Sequence, residues 1–345
     1  MVFCGDMAVP NAKCGRALVE GIDKSGTFRD EIVIINLEGV LKADNPTDTF
    51  WKVYNDKSIL DLRNSCKKLI FNLANNHIYD YPGDIDWMLQ QFRTRDIGWF
   101  GLQEENGLAK PLEFTEGTVR YAIFGHCWQV YTKTNPNKQT THRVYDCTYR
   151  QFYDAVAEYM QANPNTKVIC CFHWNFDMET HPFPAHVRIA RALIDLGVEA
   201  VIGNHAHCPQ MAELYKGKVI AYGQGNFYMP DGFFFNGTLC YPAQSHRMYV
   251  IRTTPEGAEQ IWFDTDGAEG SAISADVWEK LEPVENMPVE EYDDYFRRNR
   301  KKRKLVPIFK TYEDSLSNRI KTGFCIWRIR GVRLLKMVLD KIRRS

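Results

Sequence analysis

Seven short apolar segments of the chain are each three to six residues long, and polar residues directly follow six of them. Segments this short and this rich in Val, Ile and Phe are typical of buried β-strands. They lie at residues 1–4, 32–35, 68–71, 119–124, 168–172, 200–202 and 219–222. So many separate buried strands predict a sheet-based domain, and a chain of 345 residues is long enough to build one with a large core.

Amphipathic stretches lie between several of these segments. Residues 84–95 and 185–196 space their apolar residues three and four apart, which predicts helices with one buried face. Gly197 follows the second stretch at the position that favours a left-handed helix cap. The alternation of strands and helices predicts an α/β fold with a largely parallel or mixed sheet. No helix separates residues 248–253 from 260–263, so we expect these two segments to pair antiparallel.

The polar residues after the strands carry the strongest functional signal. In open α/β sheets the carboxyl ends of the strands face one crevice, where ligands bind. The side chains that we expect to meet there are Asp6, Glu38, Asn76, His173, His205 and His207. Carboxylate, amide and imidazole groups suit divalent metals such as Mn, Fe or Zn, and two ions about 4 Å apart would need a ligand set of this size. Each motif alone is common, so the prediction rests on their joint order after successive strands.

Composition narrows the class of protein. Hydrophobic residues make up 44% and charged residues 25% of the chain, which excludes wholesale disorder and a polytopic membrane protein. The ten cysteines are scattered without any CxxC pair, which indicates reduced core thiols. No apolar run has the length of a signal sequence or a membrane span, so we expect a cytoplasmic protein. The net charge of zero hides an acidic body and a basic end, because 17 of the 43 Lys and Arg residues lie after residue 296.

The same residues carry a family resemblance. The motifs, in chain order, are GDM, INLEG, LANNHIYDYPG, FGL, FHW, IARALIDLGVEAVIGNHAH and VIAYGQGNF. Together they resemble the bacterial capsule synthesis protein CapA family of the poly-γ-glutamate biosynthesis type, a branch of the calcineurin-like metallophosphoesterases. The resemblance covers residues 1–266 and implies a four-layer α/β sandwich with a metal centre at the strand ends.

The resemblance also implies roles for individual residues. Asp6 and His207 would bind a first metal, Glu38 would bridge, and a second metal would take the rest of the set, namely Asn76, His173 and His205. His77 would protonate the leaving group. Four further polar residues near these motifs are expected to face the substrate, namely Asn36, Asn75, Asp177 and Asn226.

Several positions depart from the family pattern. The wider superfamily opens with Asp-x-His, whereas Met7 and Ala8 follow Asp6 here, so the first metal lacks one imidazole. The usual HWGxE segment has Asn175 and Asp177 in place of Gly and Glu. A glutamine of that segment becomes His186, and Asn204 precedes the two histidines. The expected metal ligands persist while positions around them change, which predicts a divergent member with its own substrate.

The chain after residue 266 is expected to form a charged linker and a basic amphipathic tail spanning residues 267–345. Residues 297–304 are a basic block, and apolar residues recur at helical spacing from Phe324 to Ile342 among arginines and lysines. Such a helix can lie on an anionic membrane surface, pack on the acidic body or contact nucleic acid. We expect no nucleic acid partner, because aromatic and basic residues do not interleave as in single-strand binders.

These observations leave three functions open. The first is a metal-dependent hydrolase of the metallophosphoesterase type that acts on an anionic small molecule or polymer during capsule or other surface-polymer synthesis. The second is a non-catalytic protein that binds an anionic polymer or a lipid-linked intermediate. The third is an enzyme that cleaves or transfers amides of a poly-γ-glutamate-like chain. Peripheral contact with the inner membrane surface through the tail is compatible with each of them.

Overall fold

The computed structural model describes residues 1–344 except 45, 104–109, 135–139, 146, 256, 283–285 and 302–304, and for residues 340–344 it describes the backbone alone. The strands are β1 (Val2–Met7), β2 (Ile32–Leu37), β3 (Val40–Lys42), β4 (Tyr54–Asp56), β5 (Lys68–Asn72), β6 (Gly98–Phe100), β7 (Leu102–Gln103), β8 (Leu112–Glu116), β9 (Val119–Cys127), β10 (Arg143–Val144), β11 (Thr166–His173), β12 (Ala200–Asn204), β13 (Ala212–Tyr215), β14 (Lys218–Ala221), β15 (Asn226–Tyr228), β16 (Arg247–Thr254), β17 (Gly257–Asp264), β18 (Ser274–Ala275) and β19 (Glu279–Lys280).

The α-helices are α1 (Ala12–Ser25), α2 (Ile85–Thr94), α3 (Gln129–Thr132), α4 (Tyr149–Ala162), α5 (Pro184–Leu196), α6 (Val289–Asn299) and α7 (Leu316–Arg344). Short 3₁₀ helices cover Lys57–Ser65, Pro82–Asp84 and Ala243–Ser245. Helix α5 ends at Leu196, and Gly197 follows with a φ of 111°, which is the left-handed cap that the sequence predicts.

Two large sheets organise the chain. The first has the order β18-β17-β16-β1-β2-β5-β6, with β15 also paired to β1 and β19 to β17. The second has the order β13-β14-β12-β11-β9-β8. Strands β1, β2, β5 and β6 run parallel in the first sheet, as do β9, β11, β12 and β14 in the second. Strands β16 and β17 pair antiparallel, as expected for two segments with no helix between them.

The two sheets pack face to face. Every second side chain of the central strands points into the space between the sheets. Phe3, Ile34 and Ile70 of the first sheet share one apolar cluster with Ile123 and Ile169 of the second. The intervening residues of the same strands point the other way into the core beneath the helices. Helices α1 and α2 cover the first sheet, while α5 covers the second together with α4, whose Phe152 packs on Phe124 of β9. The fold is therefore the expected four-layer α/β sandwich, with helices outside two inner sheets.

The chain continues to build this body after residue 266. Strands β18 and β19 extend the first sheet by pairing with β17. Helix α6 packs on α5, where it buries Tyr292 and Phe296, and Arg188 binds Asp293 with 2.5 Å between Nη1 and Oδ1. The expected linker is thus partly an added layer of the same body, because its aromatic residues cover the outer face of α5. Residues 302–304 of the basic block lie outside the described part of the chain.

Helix α7 lies against the body by its first half. Thr322 and Cys325 are buried there, the helix packs on α3, and the Arg330 guanidinium donates to the Lys133 carbonyl oxygen. The side chains from Val332 to Leu339 are mostly exposed. Among the described residues, no helix has both the length and the apolar character needed to cross a membrane.

Candidate metal centre

All six side chains expected to bind metal meet at one rim of the two sheets. The first sheet contributes Asp6 on β1, Glu38 directly after β2, and Asn76 in the loop after β5. The second contributes His173 at the end of β11 and, directly after β12, His205 and His207. The site forms there because parallel strands of both sheets end at this rim and their next residues are polar.

Glu38 joins the two halves of this cluster. Its carboxylate forms one group with Asp6 and His173 and another with His205 and His207, and within each group the ligand atoms lie within 4.8 Å of one another. All five residues are buried. A carboxylate shared by two groups is what a pair of metal ions with a bridging ligand requires.

Two further distances complete the cluster. The amide oxygen of Asn76 lies 2.5 Å from His173 Nε2, which brings the sixth expected ligand into the site. Nδ1 of His207 lies 3.5 Å from Asp6 Oδ2 but also 2.8 Å from Asn226 Oδ1, so the sharing of one ion by Asp6 and His207 stays a prediction. The structure thus brings together every residue of the expected ligand set.

Asn36 holds the two carboxylates in place. Its Nδ2 donates to Asp6 Oδ1 at 2.7 Å and to Glu38 Oε2 at 3.1 Å, and its Oδ1 accepts from Asn72. The expected substrate contact is corrected, because Asn36 is 1% exposed and its polar atoms are already bonded within the protein. Sequence reasoning missed Asn72, which is the last residue of β5 and follows the apolar run directly.

Asn75 and Asn226 also hold the site from behind. Asn75 donates to the Leu37 carbonyl and accepts from the backbone N–H groups of Gly39 and His77, so it fixes the loop instead of facing the substrate. Asn226 on β15 places its Oδ1 2.8 Å from His207 Nδ1 and is buried. The expected substrate contact of Asn75 is corrected, whereas that of Asn226 stays a prediction, because its Nδ2 has no hydrogen-bond partner among the described residues. The amide of Asn226 sets the ring orientation of His207, a common role of groups behind a metal ligand.

The backbone of the loop that carries His205 and His207 is strained. His205 and His207 have φ values of 89° and 53°, in the left-handed region that residues other than Gly rarely adopt. The N–H group of His205 donates to Asp6 Oδ2 at 2.9 Å, and this hydrogen bond offsets part of the free-energy cost of the strained φ angles. The strain turns both imidazoles inward, so that the ring centroids of His205 and His173 are 4.4 Å apart.

Burial sets the electrostatics of the cluster. It raises the pKa of Asp6 to about 6, and burial followed by the nearby charge of Asp6 raises the pKa of Glu38 well above its ordinary value. Burial, with the neighbouring imidazoles, lowers the pKa values of His173 and His207. His173 and His207 are therefore held neutral, which is the form that binds a metal.

The residues present fit a divalent metal. Oε1 of Glu38 and both ring nitrogens of His205 are buried without a hydrogen-bond partner in the protein, although His205 Nε2 lies 3.1 Å from Asp177 Oδ1. Each buried polar group that lacks a partner costs about 1–3 kcal/mol. The two nitrogens of an imidazole point in different directions, so His205 can offer one of them to the cluster. Together with Glu38 Oε1 and the buried carboxylate of Asp6, that nitrogen makes a cation a suitable partner.

His77 is held by an acidic residue that sequence reasoning missed. Its Nδ1 lies 2.6 Å from Asp80 Oδ2, and its Nε2 lies 4.0 Å from Glu38 Oε1. Asp80 is fixed in turn by the backbone N–H of Val53. The spacing of three residues between His77 and Asp80 within NNHIYD is the signal that could have identified this pair.

A cleft of about 480 Å³ opens over the cluster. Asn76, His77, His205 and His207 form part of its floor, and Asp177 stands at the mouth with 65% of its side chain exposed. Asp177 alone of the four expected substrate contacts therefore reaches open space. Helix α7 adds one wall, whose basic members are Arg328, Arg333 and Lys336. Sequence analysis gave no reason to join this helix to the site.

The structure shows where Ala8 lies, the residue at which this chain lacks an expected imidazole. Ala8 is fully buried among Val53, Tyr54, Met229 and Phe234, and its N–H donates to the Tyr228 carbonyl. An apolar cluster therefore occupies the position at which the sequence lacks this imidazole. The cluster relies on the six residues described above.

A mixed α/β sandwich with buried acids and imidazoles at its strand ends defines a candidate metalloprotein. Residues 21–231 match the family described as bacterial capsule synthesis protein PGA_cap, and the chain belongs to this family. The match spans well over half of the chain and includes all the expected ligands except Asp6. The expected family is therefore confirmed.

Individual relatives agree with this assignment. The chain is 26% identical over 216 residues to the capsule biosynthesis protein CapA of Bacillus anthracis, covering 60% of this chain and 50% of that one. It is 33% identical over 168 residues to the PGA biosynthesis protein CapA of Bacillus subtilis, covering 47% and 43%. The chain thus spans about half the length of these relatives.

Among solved structures, a hypothetical protein from Thermus thermophilus resembles the chain with 16% sequence identity and a TM-score of 0.43. The similarity covers 81% of this chain and 99% of that chain.

Proposed function

We propose that the protein is a metal-dependent hydrolase of the metallophosphoesterase type that acts on a phosphate ester or a related bond during capsule or poly-γ-glutamate synthesis. The observation that carries the proposal is the position of Glu38, which belongs to two groups of buried ligands and has one carboxylate oxygen without a partner. A purely structural acid in this position would be paired with a donor.

Two divalent ions of the Mn, Fe or Zn type, when bound, would supply Lewis acid chemistry and a water of lowered pKa. Glu38 would hold both ions. The family resemblance assigns Asp6 and His207 to one position and Asn76, His173 and His205 to the other, whereas the two groups of nearby ligand atoms join Asp6 to His173 and His205 to His207. Asn36 and Asn226 keep the ligands oriented from behind, which limits the reorganisation needed when an ion enters.

His77 is the residue proposed to move a proton. Asp80 holds Nδ1, so the ring presents Nε2 to the cleft, where a leaving oxygen would lie. A carboxylate behind a histidine fixes the tautomer and the orientation of the ring. Nε2 of His77 would donate its proton to the leaving group and recover it from solvent through the cleft mouth.

The substrate is proposed to be anionic. Arg328, Arg333 and Lys336 line the wall opposite the metal ligands, and the side chains of α7 between residues 316 and 339 include no acid. A wall of this charge attracts phosphate or carboxylate groups and orients them toward the floor of the cleft. All ten cysteines are free thiols, which supports action in the cytoplasm.

A second function is favoured by one observation. Ala8 fills an apolar pocket where the wider superfamily has a histidine, so one ion would have fewer ligands and bind weakly. The protein would then bind an anionic polymer or a lipid-linked intermediate without cleaving it. An amide-cleaving activity on a poly-γ-glutamate-like chain uses the same residues and differs in substrate alone.

Metal analysis combined with turnover distinguishes these functions. The purified chain is loaded with Mn or Zn, its metal content is measured, and hydrolysis of an aryl phosphate monoester and diester and of a γ-glutamyl amide is followed. Two ions per chain with ester turnover, both lost in His205→Asn, support the proposed hydrolase. Turnover of the amide without turnover of the esters would support the amide-cleaving function. Absence of metal, or bound metal without turnover, would support the binding function.

A further inference from the structure

Helix α7 presents a row of apolar side chains that nothing in the described part of the chain covers. Among the described residues, nine of the twelve large hydrophobic side chains that are most exposed belong to this helix. Five of them define an apolar stripe, with exposed fractions of 74% for Leu316, 64% for Ile320, 70% for Trp327, 62% for Leu334 and 46% for Val338. Soluble surfaces rarely carry so many exposed apolar residues together unless they bind something.

The stripe is one continuous face. Its members follow one another at intervals of four, seven, seven and four residues, which place them on one side of an α-helix. The opposite side holds Thr322 and Cys325, which are buried against the body. At 1.5 Å per residue the stripe is about 33 Å long. The body fixes the helix from one side and leaves the stripe turned to solvent.

Basic residues flank the stripe on both sides. Lys321 and Arg328 lie along one edge and Arg330 and Arg333 along the other, as the helical spacing of 100° per residue places them. The sequence from Leu316 to Leu339 contains six lysines and arginines and no aspartate or glutamate. An apolar face between two basic edges is the pattern of helices that lie in the plane of a membrane interface.

We propose that the apolar stripe of α7 binds an anionic membrane surface. The apolar side chains would enter the headgroup region, and Trp327 would lie at the boundary that Trp favours. Arg330 bonds the Lys133 carbonyl, and Arg328 and Arg333 line the cleft, so these cations would attract anionic lipid through their charge without direct contact. Charge selects this occupant over a second copy of the chain. Two copies joined by this stripe would bring four basic edges together with no acid between Leu316 and Leu339 to neutralise them.

The stripe and the cleft use different sides of α7. Ile329, Val332 and Lys336 line the cleft, and the helical spacing of 100° per residue places them opposite the stripe. The stripe is separate from the metal ligands, so membrane binding and hydrolysis can be tested independently.

Vesicle flotation tests the proposal with the full chain. Vesicles of phosphatidylcholine with about a quarter phosphatidylglycerol should carry the protein to the top of the gradient, and pure phosphatidylcholine should carry much less. Binding should weaken as salt rises, because screening removes the contribution of the basic edges. The double change Leu334→Glu with Val338→Glu should lower the vesicle affinity by on the order of tenfold or more, since it buries charge in the interface.

The matched control is Val277→Glu, which makes the same kind of change at an exposed apolar residue outside α7. It should bind vesicles as the wild type does. Both variants should keep their melting temperature and their turnover of a soluble aryl phosphate, because the changed residues are exposed and do not line the cleft. Absence of binding, or equal binding by the double variant, would overturn the proposal. If light scattering shows that the wild type is a dimer and the double variant is a monomer, the stripe instead binds a second copy of the chain.

Discussion

The carboxylate of Asp80 lies 2.6 Å from Nδ1 of His77 and so turns the other ring nitrogen of that histidine toward the metal ligands. Asp80 is itself buried and bonded to the backbone of Val53, so the pair is fixed before any substrate arrives. Neither residue belongs to the two groups of ligands that share Glu38. Proton transfer and metal binding can therefore be separated by mutation.

His77→Asn should keep the metal content and lower turnover of an aryl phosphate by about 10²- to 10⁴-fold, because a general acid typically contributes that much. Asp80→Asn should lower turnover less, since the histidine remains but its tautomer is no longer fixed. Metal analysis and steady-state kinetics on the same samples measure both effects. If His77→Asn instead loses stability and keeps full activity per folded molecule, His77 is only a structural residue.

Glu38→Gln should raise the stability of the metal-free protein by about 1–3 kcal/mol, because it removes one of two adjacent buried carboxylates. The same change should abolish the rise in melting temperature that Mn or Zn produces in the wild type. Thermal unfolding with and without a chelator measures both quantities.

Glu213→Gln is the control for this prediction, since Glu213 is equally buried but accepts from both Nε and Nη2 of Arg191. This variant should lose about 3–5 kcal/mol whether metal is present or not, because the guanidinium is left without its partner. A loss of similar size in metal-free Glu38→Gln would argue against a vacant cation position beside Glu38.

The double change Arg328→Gln with Arg333→Gln should raise KM for an anionic polymer substrate about tenfold and leave kcat for a small aryl phosphate nearly unchanged, because it removes two cations that attract the polymer. The two guanidinium groups line the wall of the cleft and are separate from the ligand cluster. Lys216→Gln, which removes an exposed charge from a distant surface turn, is the control and should change neither value. An unchanged KM would show that α7 does not contact the substrate.

Acid should destabilise the protein through His126. Burial among aromatic rings lowers the pKa of His126 to about 4, whereas an unfolded histidine titrates near 6.5. The unfolded chain therefore binds more protons between these values, and stability falls as the pH drops from about 6.5 to 4, by up to about 3 kcal/mol. His126→Phe should flatten this part of the curve of unfolding free energy against pH. A curve parallel to that of the wild type would contradict the prediction.

The strands and the ligands could be predicted because they are local signals. β2, β5 and β11 contain apolar runs buried on both faces, and the ligands Glu38, Asn76 and His173 come one to five residues after the runs at 32–35, 68–71 and 168–172. The division into two sheets could not be read from these runs, since a strand that is buried on both faces has no alternation to show which sheet it joins. It was anticipated only through the family resemblance.

The roles of the amides were predicted less well. Asn36, Asn75 and Asn226 lie beside the ligands in sequence, but the side of the strand or turn on which each one points depends on partners far along the chain. Asn226 pairs with Asp6, for example, through the register of β15 against β1, although most of the chain separates them. The position of α7 depends in the same way on contacts with α3 that no periodicity in the helix reveals.

The wall that α7 builds has a consequence for the order of events during synthesis. Every expected metal ligand precedes residue 209, and α7 is translated after all of them. A ribosome therefore releases the ligand-bearing strands before the helix that walls the cleft has been made. The nascent protein passes through a stage in which its centre is open to surrounding ions, and the later synthesis of α7 supplies the wall that narrows this access.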